Sequence, residues 1–272
     1  MTLTEAAHAA ATLLFVPGDR PERFEKAASS GADLVVVDLE DAVAPPNKAA
    51  ARTAASASVG RTGAVRAVRI NASDSDEYDD DVAALAGVEC VVVVPKAEDP
   101  DALREAGRRL GPVATLVALV ETATGILRAP EIAAVEEVHR LAFGSFDLAA
   151  QLGVSPDDRT ALLSARSALV LASAAAGLPG PVDGVTGDVA DEALLADDVA
   201  YAARLGFGAK LCIHPRQVPL VRAAFRPTDD DVSWARSIVE AAGDGGVALV
   251  DGRMVDKPVV DRARRILAAA DG

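Results

Sequence analysis

The sequence predicts an α/β fold, a closed TIM (β/α)8 barrel with a C-terminal helical extension. Three observations predict it. Short runs of valine, isoleucine and leucine recur roughly every 25 to 35 residues, separated by alanine-rich amphipathic stretches, the pattern of parallel strands joined by helices. The runs are continuously apolar, as suits strands covered on both faces. The length of 272 residues, half of them apolar, matches one barrel of about 250 residues.

In chain order, strands are expected at 12–16, 33–37, 65–70, 89–94, 115–120, 139–143, 181–185 and 209–213, the seventh run being the weakest. Helices fill the gaps at 21–30, 47–58, 76–85, 100–110, 125–134, 159–176 and 191–205. Asp99-Pro100 has the residue types of a helix start, and Ser29-Ser30-Gly31 those of a helix end. A six-stranded open sheet is the alternative. The barrel is assigned to 11–225, after a start expected to fray through about residue 10. Beyond Ala224 the pattern changes: Pro227-Thr228-Asp229 reads as a helix start, followed by a helix over 232–242, a loop over 243–246 and a last helix from about 258 to 270. This 226–272 segment falls outside eight βα units and is expected to be an arm or cap packing on a neighbouring subunit.

The net charge of −14 argues against a nucleic-acid partner, because phosphates would be repelled and no basic patch overrides the field. No apolar run approaches the roughly 20 residues of a spanning helix, and the opening residues lack a basic and apolar leader pattern, so no membrane and a cytoplasmic location are expected. Cys90 and Cys212 each adjoin an apolar run and are expected to be buried, reduced thiols.

The most informative feature is positional. The apolar runs end in polar residues: LVVVDLED, AVRIN, VVVVPK, LVALVE, LAFGSFD and LCIHP. In barrel enzymes the carboxyl ends of the strands converge on one face and carry the active site. Asp38, Glu40, Asp41, Arg69, Lys96, Glu121, Asp147 and His214 are therefore expected around one mouth. Glu121 and Asp147 are the metal candidates, since two carboxylates leave open positions for waters and substrate oxygens, as octahedral Mg²⁺ prefers. Arg69 ends a buried strand, where a guanidinium needs an anion; a substrate carboxylate, or one of the nearby acids, fits its fork. Asp38, Glu40 and Asp41 crowd together, so some of them must be paired with cations. Lys96 either lines the site or satisfies a carboxylate, and His214 reads as a hydrogen-bonded barrel histidine. After the first strand, GDRPERF opens a helix, where Arg20, with Lys26 a turn later, could receive phosphates.

Taken together, PGDRPERFEKA, DLVVVDLEDAV with Lys48 and Arg52, VRIN, VVVPKAE, ALVETATG, FGSFDLA, LCIHPRQV and GRMVDKPVVDRA resemble citrate lyase β-subunit-like proteins of the HpcH/HpaI aldolase superfamily. The resemblance runs over nearly the whole chain. It implies a TIM barrel, Mg²⁺, an acyl-CoA thioester with a small oxo-acid, and a homo-oligomer, trimer or hexamer. Glu121 and Asp147 resemble the metal ligands, and Arg69 the residue that grips the oxo-acid. Glu40 and Asp41 resemble residues that hold metal-bound waters and Arg69. Asp256, which by spacing alone would be a helix cap, resembles the acid/base aspartate that acyl-CoA lyases of this group supply from the tail of an adjacent subunit.

The implied activity is reversible cleavage of a 3-hydroxyacyl-CoA, such as malyl-, citramalyl- or 3-hydroxy-3-methylglutaryl-CoA, into acetyl-CoA or a homologue and an oxo-acid. Three alternatives stand beside it: a citrate lyase subunit acting on an acyl-carrier-protein thioester, a CoA-independent pyruvate aldolase, and a non-catalytic assembly barrel. The pyruvate aldolase branch carries a histidine where this chain has Asp41 or Ala42, and lacks the MVDKP tail.

Overall fold

The computed structural model describes residues 2–59, 66–242, 248–250 and 253–270. Eight parallel strands close in sequence order into a barrel: β1 (Thr12–Pro17), β2 (Leu34–Asp38), β3 (Arg66–Arg69), β4 (Val91–Val94), β5 (Thr115–Val120), β6 (Val138–Phe143), β7 (Val182–Asp183) and β8 (Ala209–Cys212). Pairing of β1 with β8, Leu13 opposite Leu211, removes the open-sheet alternative. The weak seventh run is real but only two residues long.

Side chains alternate across a strand, and the interior cluster follows that period. It takes Leu13 of β1, Leu34 and Val36 of β2, Ala67 of β3, Val91 and Val93 of β4, Val117 and Leu119 of β5, and Ala209 and Leu211 of β8. Two residues further on, the same inward register reaches Asp38, Arg69 and Glu121. The apolar layers fill the barrel and the next layer up is charged, which sets the active face at the carboxyl ends.

The opposite end is closed by a feature the sequence reading missed. The expected frayed start is a helix, Leu3–Ala9, with a capping box between Thr2 and Glu5. Ala7 and Ala10 join the interior cluster. Arg140 of β6, fully buried, donates to the carbonyls of Ala7 (2.8 Å), His8 (3.3 Å) and Ala10 (2.6 Å), and to that of Gly180 (3.0 Å). A guanidinium at the end of a helix supplies the donors that its last carbonyls lack.

The connecting helices are close to those expected, but Ser145–Leu152 and Gln217–Phe225 are helices that were not expected, and three of the expected ones differ in form. The first is a 3-10 turn, Pro21–Arg23, running into Phe24–Ala28; the one expected at 125–134 is split into Ala123–Leu127 and Ala129–Ala133; and the one expected from 159 begins at Leu163. Asp99 caps its helix through Asp101 N, and Gly31 closes the first helix with φ of 83°. Cys90 and Cys212 are buried and free, and burial pushes each thiol up to about 12, so both are inert.

Residues 1–222 form one compact unit and 223–272 a second. In the second, helices Asp229–Ala242 and Lys257–Ala270 bury Ala235, Ile238, Val260 and Ala263 against one another. Thr228 and Asp231 cap the first of these reciprocally, Asp231 N donating to Thr228 Oγ1 at 3.1 Å and Thr228 N to Asp231 Oδ2 at 3.1 Å. Between the helices lies an antiparallel pair that the sequence reading did not expect, β9 (Ala248–Val250) and β10 (Arg253–Val255). The loop expected at 243–246 lies outside the described residues.

Candidate active site

Arg69 and Asp38 are the last residues of β3 and β2 and stand opposite each other in the parallel register. The guanidinium closes on Asp38 in a fork, Nε to Oδ1 at 2.7 Å and Nη2 to Oδ2 at 2.6 Å. Its remaining nitrogen, Nη1, lies 3.0 Å from Glu40 Oε2 and 3.4 Å from Asp41 Oδ2. From beneath, the Phe15 ring supports it at 4.9 Å. Burial works against the charged form, and Asp38 more than reverses that, with Glu40 and Asp41 adding to it; the guanidinium pKa is raised. The anion that offsets Arg69's burial is therefore the protein's own Asp38.

Asp38 also shapes the loop above it, accepting from Glu40 N at 2.9 Å and Ala42 N at 3.1 Å. Lys48 ties the same loop from behind, donating to the carbonyls of Leu39 and Glu40 and to Asn71 Oδ1. Asn71 in turn donates to Asp81, which takes Arg52 Nε at 2.6 Å. Asp38 was expected at the mouth and paired with a cation, as it is with Arg69, whereas this Lys48–Asn71–Asp81–Arg52 chain was assigned no site role from sequence. The spacing of Lys48 and Arg52 one helical turn apart was the available signal.

Glu121 follows β5 immediately and is 2% exposed. Its Oε1 accepts from the main-chain N–H of Lys96 at 2.8 Å. Gly144 packs against the same carboxylate: a Cβ there would come within 2.3 Å of Glu121 Oε2. Lys96 spends its ammonium on Glu40 Oε1 at 2.6 Å. Burial, then the charge of Glu40, pushes Glu121 up to about 8, and Asp147 adds to the rise. Burial also raises Glu40, against the pull of Arg69 and Lys96.

Asp147 lies in the first turn of Ser145–Leu152, the helix that follows β6. It lines one cavity of about 390 Å³ with Asp38, Asp41, Arg69 and Glu121. Lys96 lines a smaller neighbouring cavity with Glu98 and Thr122. The other predicted residues lie elsewhere. Arg20 and Lys26 are exposed after β1 and line neither cavity, Arg20 lying 3.9 Å from Asp19. His214 Nδ1 accepts from Arg216 N at 3.1 Å, a structural bond. Asp256 belongs to the second unit, where its carbonyl accepts from Val259 N and Val260 N at the start of the last helix.

Glu121, buried with a raised pKa and with Gly144 leaving room at its Oε2, shares the cavity with the carboxylate of Asp147, and these oxygens form a donor set that fits a hard divalent cation. Among the described residues no three His, Cys, Asp or Glu side chains converge as a metal cage. Two carboxylates with the remaining positions left to water and substrate are the arrangement Mg²⁺ takes in substrate-binding sites.

Residues 11–215 match the model of the HpcH/HpaI aldolase/citrate lyase family. The chain belongs to that family. A (3S)-malyl-CoA thioesterase from Cereibacter sphaeroides is 35% identical over 284 residues, spanning 99% of this chain and 97% of the relative. The crystal structure of CitE from Mycobacterium tuberculosis in complex with magnesium, acetoacetate and coenzyme A superposes with a TM-score of 0.85 at 37% identity, covering 97% of this chain and all of that one. A citrate lyase β subunit from the same organism, complexed with oxaloacetate and magnesium, gives a TM-score of 0.72 at 40% identity, with 81% of this chain and 99% of that one covered. As a member of the HpcH/HpaI family this chain is similar along its length to acyl-thioester enzymes, and its barrel is theirs.

Proposed function

We propose that this chain is a Mg²⁺-dependent carbon–carbon lyase that cleaves or forms a 3-hydroxyacyl-CoA thioester, releasing or using acetyl-CoA or a homologue and an oxo-acid. The observation that carries the reading is the shared cavity: Glu121, Asp147 and Arg69 line one pocket at the carboxyl ends of the strands. Glu121 and Asp147 would hold the metal. Mg²⁺ held there would supply Lewis acidity toward a hydroxyl or oxo oxygen of the substrate.

Arg69 would face the same oxygens with Nη1, the nitrogen outside its fork on Asp38 that Glu40 and Asp41 hold in place. In cleavage the hydroxyl proton passes to solvent water, the oxo-acid carbonyl forms, and the electron pair of the breaking carbon–carbon bond passes to the thioester α-carbon. Asp256 donates a proton to that carbon. In condensation it removes the same proton, and the α-carbon attacks the oxo-acid carbonyl. Glu40 and Asp41 hold Arg69 and would steady water at the metal, Lys96 fixes Glu121 through its N–H, and Arg20 and Lys26 would meet the phosphates of CoA. Asp256 comes from the arm of a neighbouring copy, so the working form is a homo-oligomer, trimer or hexamer, in the cytoplasm. No helix among the described residues is long and apolar enough to cross a membrane.

A second reading is thioester hydrolysis, favoured by the Cereibacter sphaeroides relative's own activity. One experiment separates the two. Purified protein with Mg²⁺ is incubated with malyl-, citramalyl- and 3-hydroxy-3-methylglutaryl-CoA, and the products are resolved by chromatography. Acetyl-CoA with an oxo-acid establishes the lyase; free CoA with the intact hydroxy acid establishes the thioesterase.

A further inference from the structure

A buried charged cluster lies outside the cavity. Val182, Ala209 and Leu211 belong to the barrel interior, so their neighbours in β7 and β8, Asp183 and Lys210, point outward to the helix layer. Both are 1% exposed and stand opposite each other in the parallel register. Arg166, from the helix Leu163–Ala175, donates Nε to Asp183 Oδ1 at 2.9 Å, and Lys210 Nζ donates to Asp183 Oδ2 at 3.1 Å. Lys210 makes a second bond, at 2.6 Å, to the main-chain carbonyl of Gly184. Two cations thus share one carboxylate away from water, an arrangement whose desolvation cost makes it a weak source of stability.

What the cluster holds is the turn that carries Asp147. β7 meets β6 at a single registered pair among the described residues, Ala142 opposite Val182, so the main-chain ladder fixes little at this seam. Just past it Gly184 packs on the turn that leaves β6: a Cβ there would come within 2.3 Å of Ser145 Oγ and 3.1 Å of Phe143 O. Arg166 lies over the Phe143 ring at 5.0 Å. Within the same turn Gly144 is pressed on the carboxylate of Glu121, with no room for a methyl group. Gly184, the Gly144-Ser145 turn and Glu121 are therefore packed in series, and Asp147 follows Ser145 in the first turn of its helix. Lys210 anchors the outer end of that series.

We propose that Lys210 is a positioning residue for the metal site: by holding Asp183 and the Gly184 carbonyl it fixes the turn that sets Asp147 against Glu121. The inference rests on the proposed metal site and adds the residue that spaces its two ligands. Lys210 lines neither cavity and acts through Gly184 and Ser145. A buried group that orients metal ligands in this way contributes to affinity without touching the ion.

The test is Lys210→Met in the full-length protein, which leaves Arg166 and Asp183 as a neutral pair. Mg²⁺ affinity by titration calorimetry is expected to fall about 10–100-fold. Mn²⁺ bound in its place is expected to carry an additional inner-sphere water by water-proton relaxation, in the position that Asp147 gives up. Leu110→Ala opens a cavity at the end of the helix Pro100–Leu110, where the Leu110 carbonyl accepts from Gly87 N ahead of β4; it controls for lost stability alone and is expected to change neither measurement. Should Lys210→Met fail to fold, Gly184→Ala, whose methyl group drives into Ser145, is expected to give the same two changes. Unaltered affinity and hydration in Lys210→Met, or in Gly184→Ala where it stands in, would overturn the positioning role and leave the metal site standing, as would an equal fall in Leu110→Ala. Absence of Mg²⁺ and Mn²⁺ binding by the unaltered protein would overturn the metal reading beneath it.

Discussion

The main-chain N–H of Lys96 donates to Glu121 Oε1 at 2.8 Å while the ammonium of the same residue reaches Glu40 Oε1 at 2.6 Å. One residue thus aims two acidic side chains that both belong to the active face. It does so at a conformational cost: among the described residues Lys96 is the one non-glycine with a positive φ, 47°. A side chain in the left-handed region costs roughly 1–2 kcal/mol.

Comparison of Lys96→Ala with Lys96→Gly tests this. Both lose the ion pair to Glu40 and keep the N–H, and only glycine relieves the backbone. The glycine variant is expected to be more stable than the alanine variant by about 1 kcal/mol in urea denaturation. Equal stabilities would mean that the left-handed turn carries no strain.

Gly144→Ala places a methyl group against Glu121, within 2.3 Å of both its Cβ and its Oε2. Relief requires the carboxylate or the β6 end to move, at about 1–3 kcal/mol of stability. Magnesium affinity measured by titration calorimetry is expected to fall at least tenfold. Unchanged affinity would remove Glu121 Oε2 from the metal's donors.

The raised pKa of Glu121, about 8 and caused first by burial and then by Glu40, gives a signed pH dependence. In the metal-free protein the folded state holds this proton more tightly than the unfolded chain, whose ordinary value is 4.5. That contribution to stability is complete below about 4.5 and is lost as pH rises through about 8. Metal binding needs the carboxylate, so Mg²⁺ affinity rises with pH up to about 8 and then levels. At pH 7, calorimetry in buffers of different ionisation enthalpy is expected to show close to one proton released per ion bound. A flat affinity between pH 6 and 8 would contradict this protonation.

Asp256→Asn is expected to leave Mg²⁺ and oxo-acid binding intact and to lower turnover by roughly 10²–10⁴-fold, the usual contribution of a proton-transferring side chain. Acetyl-CoA α-proton exchange, followed by NMR in deuterated water, should be lost with it. Retained exchange would assign the acid/base role elsewhere.

How much of this was legible follows from the range of each interaction. The valine-rich runs of β2, β4 and β5 announce themselves because strands buried on both faces need unbroken apolar sequence. With their register, the inward positions of Asp38, Arg69 and Glu121 follow. β7 is nearly invisible because two residues, flanked by close-packed Gly180 and Gly184, carry no period. The Leu3–Ala9 helix was missed because what holds it, Arg140, lies more than 130 residues away. Short β9 and β10 were missed for the same lack of pattern. At the site the residue types were legible and their pairings were not: that Arg69 forks onto Asp38 and turns its third nitrogen to Glu40 and Asp41 depends on which residues stand opposite in β2 and β3. The left-handed turn at Lys96 has no signature in sequence at all.

The most direct test of the central claim is a crystal structure of the protein soaked with Mn²⁺ in place of Mg²⁺, read by anomalous scattering. The account predicts one ion per chain in the barrel cavity, with Glu121 and Asp147 as its protein ligands, and loss of that peak in Glu121→Gln and Asp147→Asn together with a fall in turnover on the order of 10³-fold. An ion bound elsewhere, or a peak and turnover that survive both substitutions, would contradict it.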